Sequence, residues 1–262
     1  MDSSLPDIPQ QAENKPKRDY ILPASILVAA LLISFSLVYS AGKKATVSEL
    51  GGRGGGGGED TLAADVGEAF NDIRPTPSPV NIKAVTENDH IRGSLSAAVK
   101  VVEFSDLECP FCKRFHSTMQ QAVETYGDKI AWVYRHFPLD SLHSKARKEA
   151  EAAECANELG GNNGFWKYVD ELLRVTPSNN GLEATELPNI AERVGLNRTK
   201  FETCLSSGKY ASRVEADLTD AENSGGRGTP YSVVISKSGK KYIINGALPW
   251  EDVRVIIEEA LK

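Results

Sequence analysis

Residues 99–116 read VKVVEFSDLECPFCKRFH, and two patterns meet in them. Residues 99–104 are short, β-branched and apolar, which predicts a buried strand. From Cys109 the period changes. Phe111, Phe115, Met119, Ala122, Val123 and Tyr126 share one helical face, and Gly127 ends it. The junction carries Cys109-Pro110-Phe111-Cys112. Two intervening residues bring two sulfurs within disulfide range across one helical turn. The first lies at a helix N-terminus, where unpaired N–H groups and the macrodipole favour a thiolate and make it the nucleophile. Pro110 suits the first helical position, having no N–H to leave unpaired. Cys112, one turn in, is less exposed and placed to resolve a mixed disulfide.

Two other readings compete. Structural zinc needs a second ligand pair at close spacing. Cys155 and Cys204 are far apart in sequence and fall on separate predicted helices, and His116 lies four residues after Cys112 on a crowded helix. A purely structural disulfide in so tight a ring is strained and reducible.

Moving outward, residues 129–137 read as a second strand, 231–236 as a third and 241–245 as a fourth. Between them Ala152, Cys155, Ala156 and Leu159 share a helical face that Gly160-Gly161 stops. Residues 165–175, 186–194, 198–206 and 210–224 are further predicted helices, and Trp250, Val253, Ile257 and Leu261 stripe a final one. The order is β-α-β, a helical insertion at about 140–224, then β-β-α, which is an α/β domain over 81–262. With 262 residues, 40% hydrophobic and 25% charged, the chain has a globular balance. A net charge of −6 gives no support for nucleic-acid binding. Four cysteines are too few for a disulfide-framework miniprotein.

Residues 21–41 carry no charge and, as a helix of about 31 Å, match a bilayer core. Lys15, Lys17 and Arg18 precede them, which favours a cytoplasmic leader at 1–20 and an uncleaved single-span anchor over a cleaved signal peptide. Residues 42–80 are glycine- and proline-rich and read as a linker with a reach of roughly 35 Å. The expected location is the cell membrane, with the domain on the extracytoplasmic side.

The run from His90 through Val101-Val102-Glu103-Phe104-Ser105-Asp106-Leu107-Glu108-Cys109-Pro110-Phe111-Cys112-Lys113 resembles the DsbA family of thiol–disulfide oxidoreductases, in its membrane-anchored bacterial branch. Phe137-Pro138-Leu139, Glu151 to Ala156, Phe165-Trp166, Gly228-Thr229-Pro230 and Gly246-Ala247 extend it to about Lys262. The resemblance implies a thioredoxin fold with an inserted helical domain. It makes Cys109 the attacking cysteine and Cys112 the resolving one. It makes Pro230 a cis-proline beside the site, with the Thr229 backbone pairing to substrate. It also gives Glu103 a part in moving the Cys112 proton. Glu103 interrupts an apolar strand, where burial raises a carboxyl pKa; the alternative is an edge-facing, solvated side chain. Phe111 cannot donate a hydrogen bond to a thiolate. Glu108, before the nucleophile, is expected to be solvated and weakly coupled, and Lys145, Arg147, Lys148, Glu149 and Glu151 to form a solvated helix face. His136 and His143 read as structural or surface residues, and Trp166 and Tyr168 as core.

Cys155 and Cys204 are either two small core thiols or, outside the cytoplasm and as in some relatives, a second disulfide. The functional expectation is an enzyme that introduces disulfides into exported proteins with free thiols. It would be recharged by a membrane quinone-linked thiol oxidase and need no cofactor or metal of its own. A reductase or isomerase fed by a membrane electron donor, or a noncatalytic tethered binding or chaperone module, are the alternatives.

Overall fold

In the computed structural model, which describes residues 75–262, the first predicted strand runs Val99–Ser105 (β2) and occupies the centre of a five-stranded sheet. The other strands are β1 (His90–Gly93), β3 (Ile130–His136), β4 (Tyr231–Ile235) and β5 (Lys241–Asn245), in the order β1-β3-β2-β4-β5. β2 is parallel to β3 and antiparallel to β4, while β1 and β5 close the two edges antiparallel. A parallel pair needs a crossover, and helix α1 (Pro110–Tyr126) supplies it.

Central position explains the apolar run of β2. Side chains alternate between faces. Val99 and Val101 enter a large core with α1 and the helices beyond, whereas Val102 and Phe104 enter a smaller core on the other face. Glu103 shares the face of Val101, and the registers set it opposite Tyr134 on β3 and Ser232 on β4.

The insertion between β3 and β4 contains α2 (Ala146–Val175), α3 (Glu186–Arg193), α4 (Arg198–Ser207) and α5 (Ala211–Asn223). The predicted stop at Gly160-Gly161 is a kink inside α2, where Gly161 takes φ 62°. The final helix α6 (Trp250–Leu261) packs on β4, β5 and α1. The Cys155–Cys204 disulfide is formed and ties α2 to α4, which resolves the two readings of that pair.

Two sequence expectations fail here. Strand β1 was not among the predicted strands, because HIRG has no apolar alternation; pairing to β3 makes it. Its last residue, Gly93, has φ 107°, and a Cβ there would stand 2.8 Å from the Ile130 carbonyl oxygen. The expected solvated face of α2 is also wrong for its acids. Glu149 and Glu151 are buried, because α2 is covered by α3, α4, α5 and β1 along most of its girth.

Residues 78–80 run beside β5: the Ser78 N–H donates to the Lys241 carbonyl at 2.8 Å and Val80 enters the smaller core. The expected leader and anchor, and residues 42–74 of the expected linker, lie outside the described residues. Among the described residues no helix is long and apolar enough to cross a membrane.

The disulfide closes a loop with a sequence separation of 49. Its removal in a Cys155→Ala, Cys204→Ala variant is expected to cost about 4 kcal/mol in the loop-entropy model. Urea unfolding of variant and parent checks this, and equal midpoints would contradict it.

Candidate active site

Cys109 is the N-cap of α1, with extended backbone (φ −77°, ψ 122°), and Pro110 begins the helix. The turn before it is tight: the Cys109 N–H donates to the Asp106 carbonyl at 3.1 Å, and the Lys113 N–H returns to the Cys109 carbonyl at 3.0 Å. This places the sulfur over the open N-terminus of α1. The Cys109 thiol is pulled down to about 6. The hydrogen bond from Cys112 is the largest cause and outweighs the desolvation that opposes it. Thr229 and the backbone N–H groups of Cys112 and Phe111 add to it.

Cys112 lies one turn inward and is fully buried, with the Asp106 N–H donating to its Sγ at 3.4 Å. Burial pushes its thiol well above the ordinary range, and the nearby Cys109 and Glu103 push in the same direction. Both sulfurs are free thiols. The two cysteines therefore differ in kind: one is a ready thiolate, the other a thiol held neutral. Phe111, between them, is 53% exposed.

The loop before β4 closes the site from the other side. The Thr229–Pro230 bond is cis. The Thr229 carbonyl accepts from the Cys109 Sγ at 3.5 Å. Cys109, Cys112, Thr229 and Pro230, distant in sequence, are thus brought together.

Glu103 lies beneath them and is 1% exposed, which excludes the solvated alternative. The Trp132 indole N–H donates to its Oε2 at 2.8 Å. Burial raises its pKa to about 7, against the hydrogen bonds from Ser105 and Trp132 that lower it. The hydroxyls of its cross-strand neighbours Tyr134 and Ser232 are buried and without hydrogen-bond partners. The carboxyl is therefore poised to gain or lose a proton near neutrality.

Glu108 corrects the sequence reading: it is 0% exposed rather than solvated. Residues 178–180, all at positive φ, fold over it. Asn179 N–H donates to its carbonyl at 2.8 Å, and Asn180 N–H to its Oε2. Its carboxyl meets that of Glu149, whose pKa is pushed to about 10, by burial first and by the Glu108 hydrogen bond and charge next. Glu149 therefore keeps its proton at neutral pH. Nothing local in the sequence signals this contact, because it spans the insertion.

Of the two remaining site histidines, His143 reaches the active end, where its Nδ1 lies 2.9 Å from Asp106 Oδ2. His136 does not. Its Nε2 lies 3.2 Å from Glu154 Oε1, which His90 Nε2 also meets at 2.7 Å. These three are residue types that bind metals, and their ligand atoms converge. The Arg213 Nε, 3.7 Å from the same Oε1, already brings a positive charge there. Burial opposes ionisation of Glu154, but the hydrogen bonds from His136 and His90 outweigh it and hold its pKa below the usual range. Asp106, His143, Glu149 and Asn180 were all missed as site residues. Only Asp106, at a strand-to-helix turn, has a local signal.

Residues 85–259 match a family model described as thioredoxin. Over 144 residues, 55% of this chain, the sequence is 35% identical to the Na(+)/H(+) antiporter NhaA 3 of Salinispora tropica and covers 21% of that protein. Over 186 residues, 69% of this chain, it is 32% identical to the Na(+)/H(+) antiporter NhaA 1 of Mycolicibacterium gilvum and covers 28% of it. The chain thus spans between a fifth and a third of the length of these curated relatives. Among solved structures it is similar to Pseudomonas aeruginosa DsbA2, with TM-score 0.57, 26% identity and coverage of 67% of this chain and 96% of that one. Oxidised BdbD of Bacillus subtilis shares the fold, with TM-score 0.60, 20% identity and coverage of 71% and 99%.

Alkylation by iodoacetamide is expected to show one fast thiol with a midpoint at about pH 6, assigned to Cys109. An ordinary cysteine titrates at about 8.5. Folded Cys109 sits below that unfolded value, so its contribution stabilises the reduced protein fully above about pH 8.5 and is lost as pH falls through 6. Alkylation and denaturant unfolding between pH 5 and 9 check both statements.

Proposed function

The chain belongs to the thioredoxin family in its DsbA-like form, and from that premise we propose that it introduces disulfides into exported proteins through Cys109 and Cys112. One observation carries this reading: a sulfur stabilised as thiolate at about 6 beside one held as a thiol by burial. A thiol of low pKa is the better leaving group in disulfide exchange.

In the oxidised enzyme a substrate thiolate attacks the Cys109 sulfur. The Cys109–Cys112 bond breaks, and the electron pair leaves on Cys112. That sulfur is buried and needs a proton, which Glu103, with its pKa at about 7, is placed to supply. The substrate is now joined to Cys109, with its backbone alongside Thr229. A second substrate thiolate attacks the joined substrate sulfur, the substrate leaves with its disulfide, and Cys109 leaves as the stabilised thiolate. Two electrons have passed to the pair. A membrane quinone-linked thiol oxidase returns it to the disulfide.

The domain acts outside the cytoplasm, held by a span at 21–41 with the leader inside; the charge-free stretch and its basic N-terminal flank support this. Antiport is no part of the proposal, since the match covers 21% of the first antiporter named above.

The deciding experiment is the reduction potential of the full chain equilibrated in glutathione buffers, with a Cys155→Ala, Cys204→Ala control isolating the active pair. A value between about −120 and −180 mV is expected; a value near −270 mV places the pair with reductants and overturns the disulfide-forming direction. Cys109→Ser is expected to abolish exchange, whereas Cys112→Ser accumulates mixed disulfides visible on non-reducing gels. A binding module would keep its function in both. Glu103→Gln is expected to slow exchange at least about tenfold and to remove a rate inflection near pH 7, read by stopped-flow fluorescence.

A further inference from the structure

The reduced pair leaves a negative sulfur at a buried position, and besides the Cys112 thiol and the N–H groups of the first turn of α1 no free cation there balances it. Pro110 and Phe111 carry no charge. The Lys113 ammonium is committed to the carbonyls of Thr176, at 2.6 Å, and Arg174, at 3.5 Å. The Arg114 guanidinium lies over the Phe111 ring. A cation that balances the sulfur has to come from outside the motif.

We propose that His143 is that partner: a positioning residue, clamped by Asp106, whose imidazolium balances the Cys109 thiolate and sets how strongly the pair oxidises. The proposal rests on the redox reading above and names the group that tunes it. Asp106 is the hub. One carboxylate oxygen meets His143 Nδ1 at 2.9 Å and accepts the Leu139 N–H at 2.8 Å. The other accepts the Glu108 N–H at 2.8 Å. Its carbonyl accepts from the Cys109 N–H, and its own N–H donates to the Cys112 sulfur. A single residue thus fixes His143 and both cysteines in one frame. The His143 N–H to the Leu139 carbonyl, at 2.8 Å, closes the turn that presents the ring, which is 6% exposed.

The charges facing the imidazole come from two places. Asp106 and Glu108 belong to the turn before α1, and Cys109 to its N-cap. Burial disfavours the imidazolium, but the Asp106 hydrogen bond and charge, then Cys109 and Glu108, outweigh it and raise its pKa. Glu149, on α2, keeps its proton beside Glu108 and so adds no second negative charge next to the thiolate. A raised pKa carries the charge to higher pH than an ordinary imidazole and loses it as pH rises further, so the oxidising power falls faster with pH than proton uptake by the cysteines alone requires.

Two variants of the full chain separate charge from structure. His143→Asn keeps an amide donor for Asp106 without the charge, and His143→Ala removes both. Both are expected to raise the Cys109 alkylation midpoint and to shift the glutathione exchange constant about tenfold toward the disulfide form, equivalent to about 30 mV. Only the alanine variant is expected to lose stability to urea. The proposal is overturned if His143→Asn matches the parent in both midpoint and exchange constant, since the ring would then be a hydrogen-bonding brace only. A parent that does not exchange with glutathione at all would sink the redox reading itself, and is distinguishable because the variants are compared with it.

Discussion

The open N-terminus of α1, set at the carboxyl end of the central strand of the sheet, is the constraint on which the rest depends. A helix start has backbone donors with no intrahelical acceptor. Here the Phe111 and Cys112 N–H groups turn toward the Cys109 sulfur and help hold it as an anion. The same geometry drives Cys112 into the core, where an anion is costly. One turn of helix therefore makes two chemically different sulfurs from two identical residues. The asymmetry needs β2 in the middle of the sheet, because only there is the first turn of α1 walled on both sides. It also needs the loop at Thr229–Pro230 to close the front.

Around this junction the fold buries acids in an order that separates their roles. Glu103 lies under the resolving sulfur with its proton loosely held. Glu149 keeps its proton against Glu108 beside Cys109, and Asp106 is tied to a histidine. Each is shielded, yet each has a named partner that decides its charge. Burial alone would leave all of them neutral. The partners restore charge where the exchange reaction uses it and withhold it where it would repel a thiolate.

The helical insertion is part of the site and not merely attached to it. It supplies Glu149 from α2 and the 178–180 turn that covers Glu108. Its internal disulfide links α2 to α4, well away from the reacting pair, so the insertion is braced without drawing on the active cysteines. The kink at Gly161 lets α2 serve two ends. Its first half reaches the active junction, and its second half carries Asp170 to the guanidinium of Arg92 on β1.

Residues 99–116 alone determined the strand, the helix and the two cysteines at their junction, because those follow from the apolar period and from its change at Cys109. The later strands and helices were legible for the same reason, since each carries its own apolar period. The resemblance carried by the motif supplied what periodicity does not hold, the partnership with Thr229 and Pro230. Strand β1 was not legible, because four polar-flanked residues become a strand only by pairing with β3. Nor were the burial of Glu108, its contact with Glu149 or the recruitment of His143 by Asp106. Charge in a one-dimensional chain reads as solvated. Whether a carboxylate meets water, an imidazole or another carboxylate is decided only when distant segments close around it, and that closure belongs to the tertiary structure.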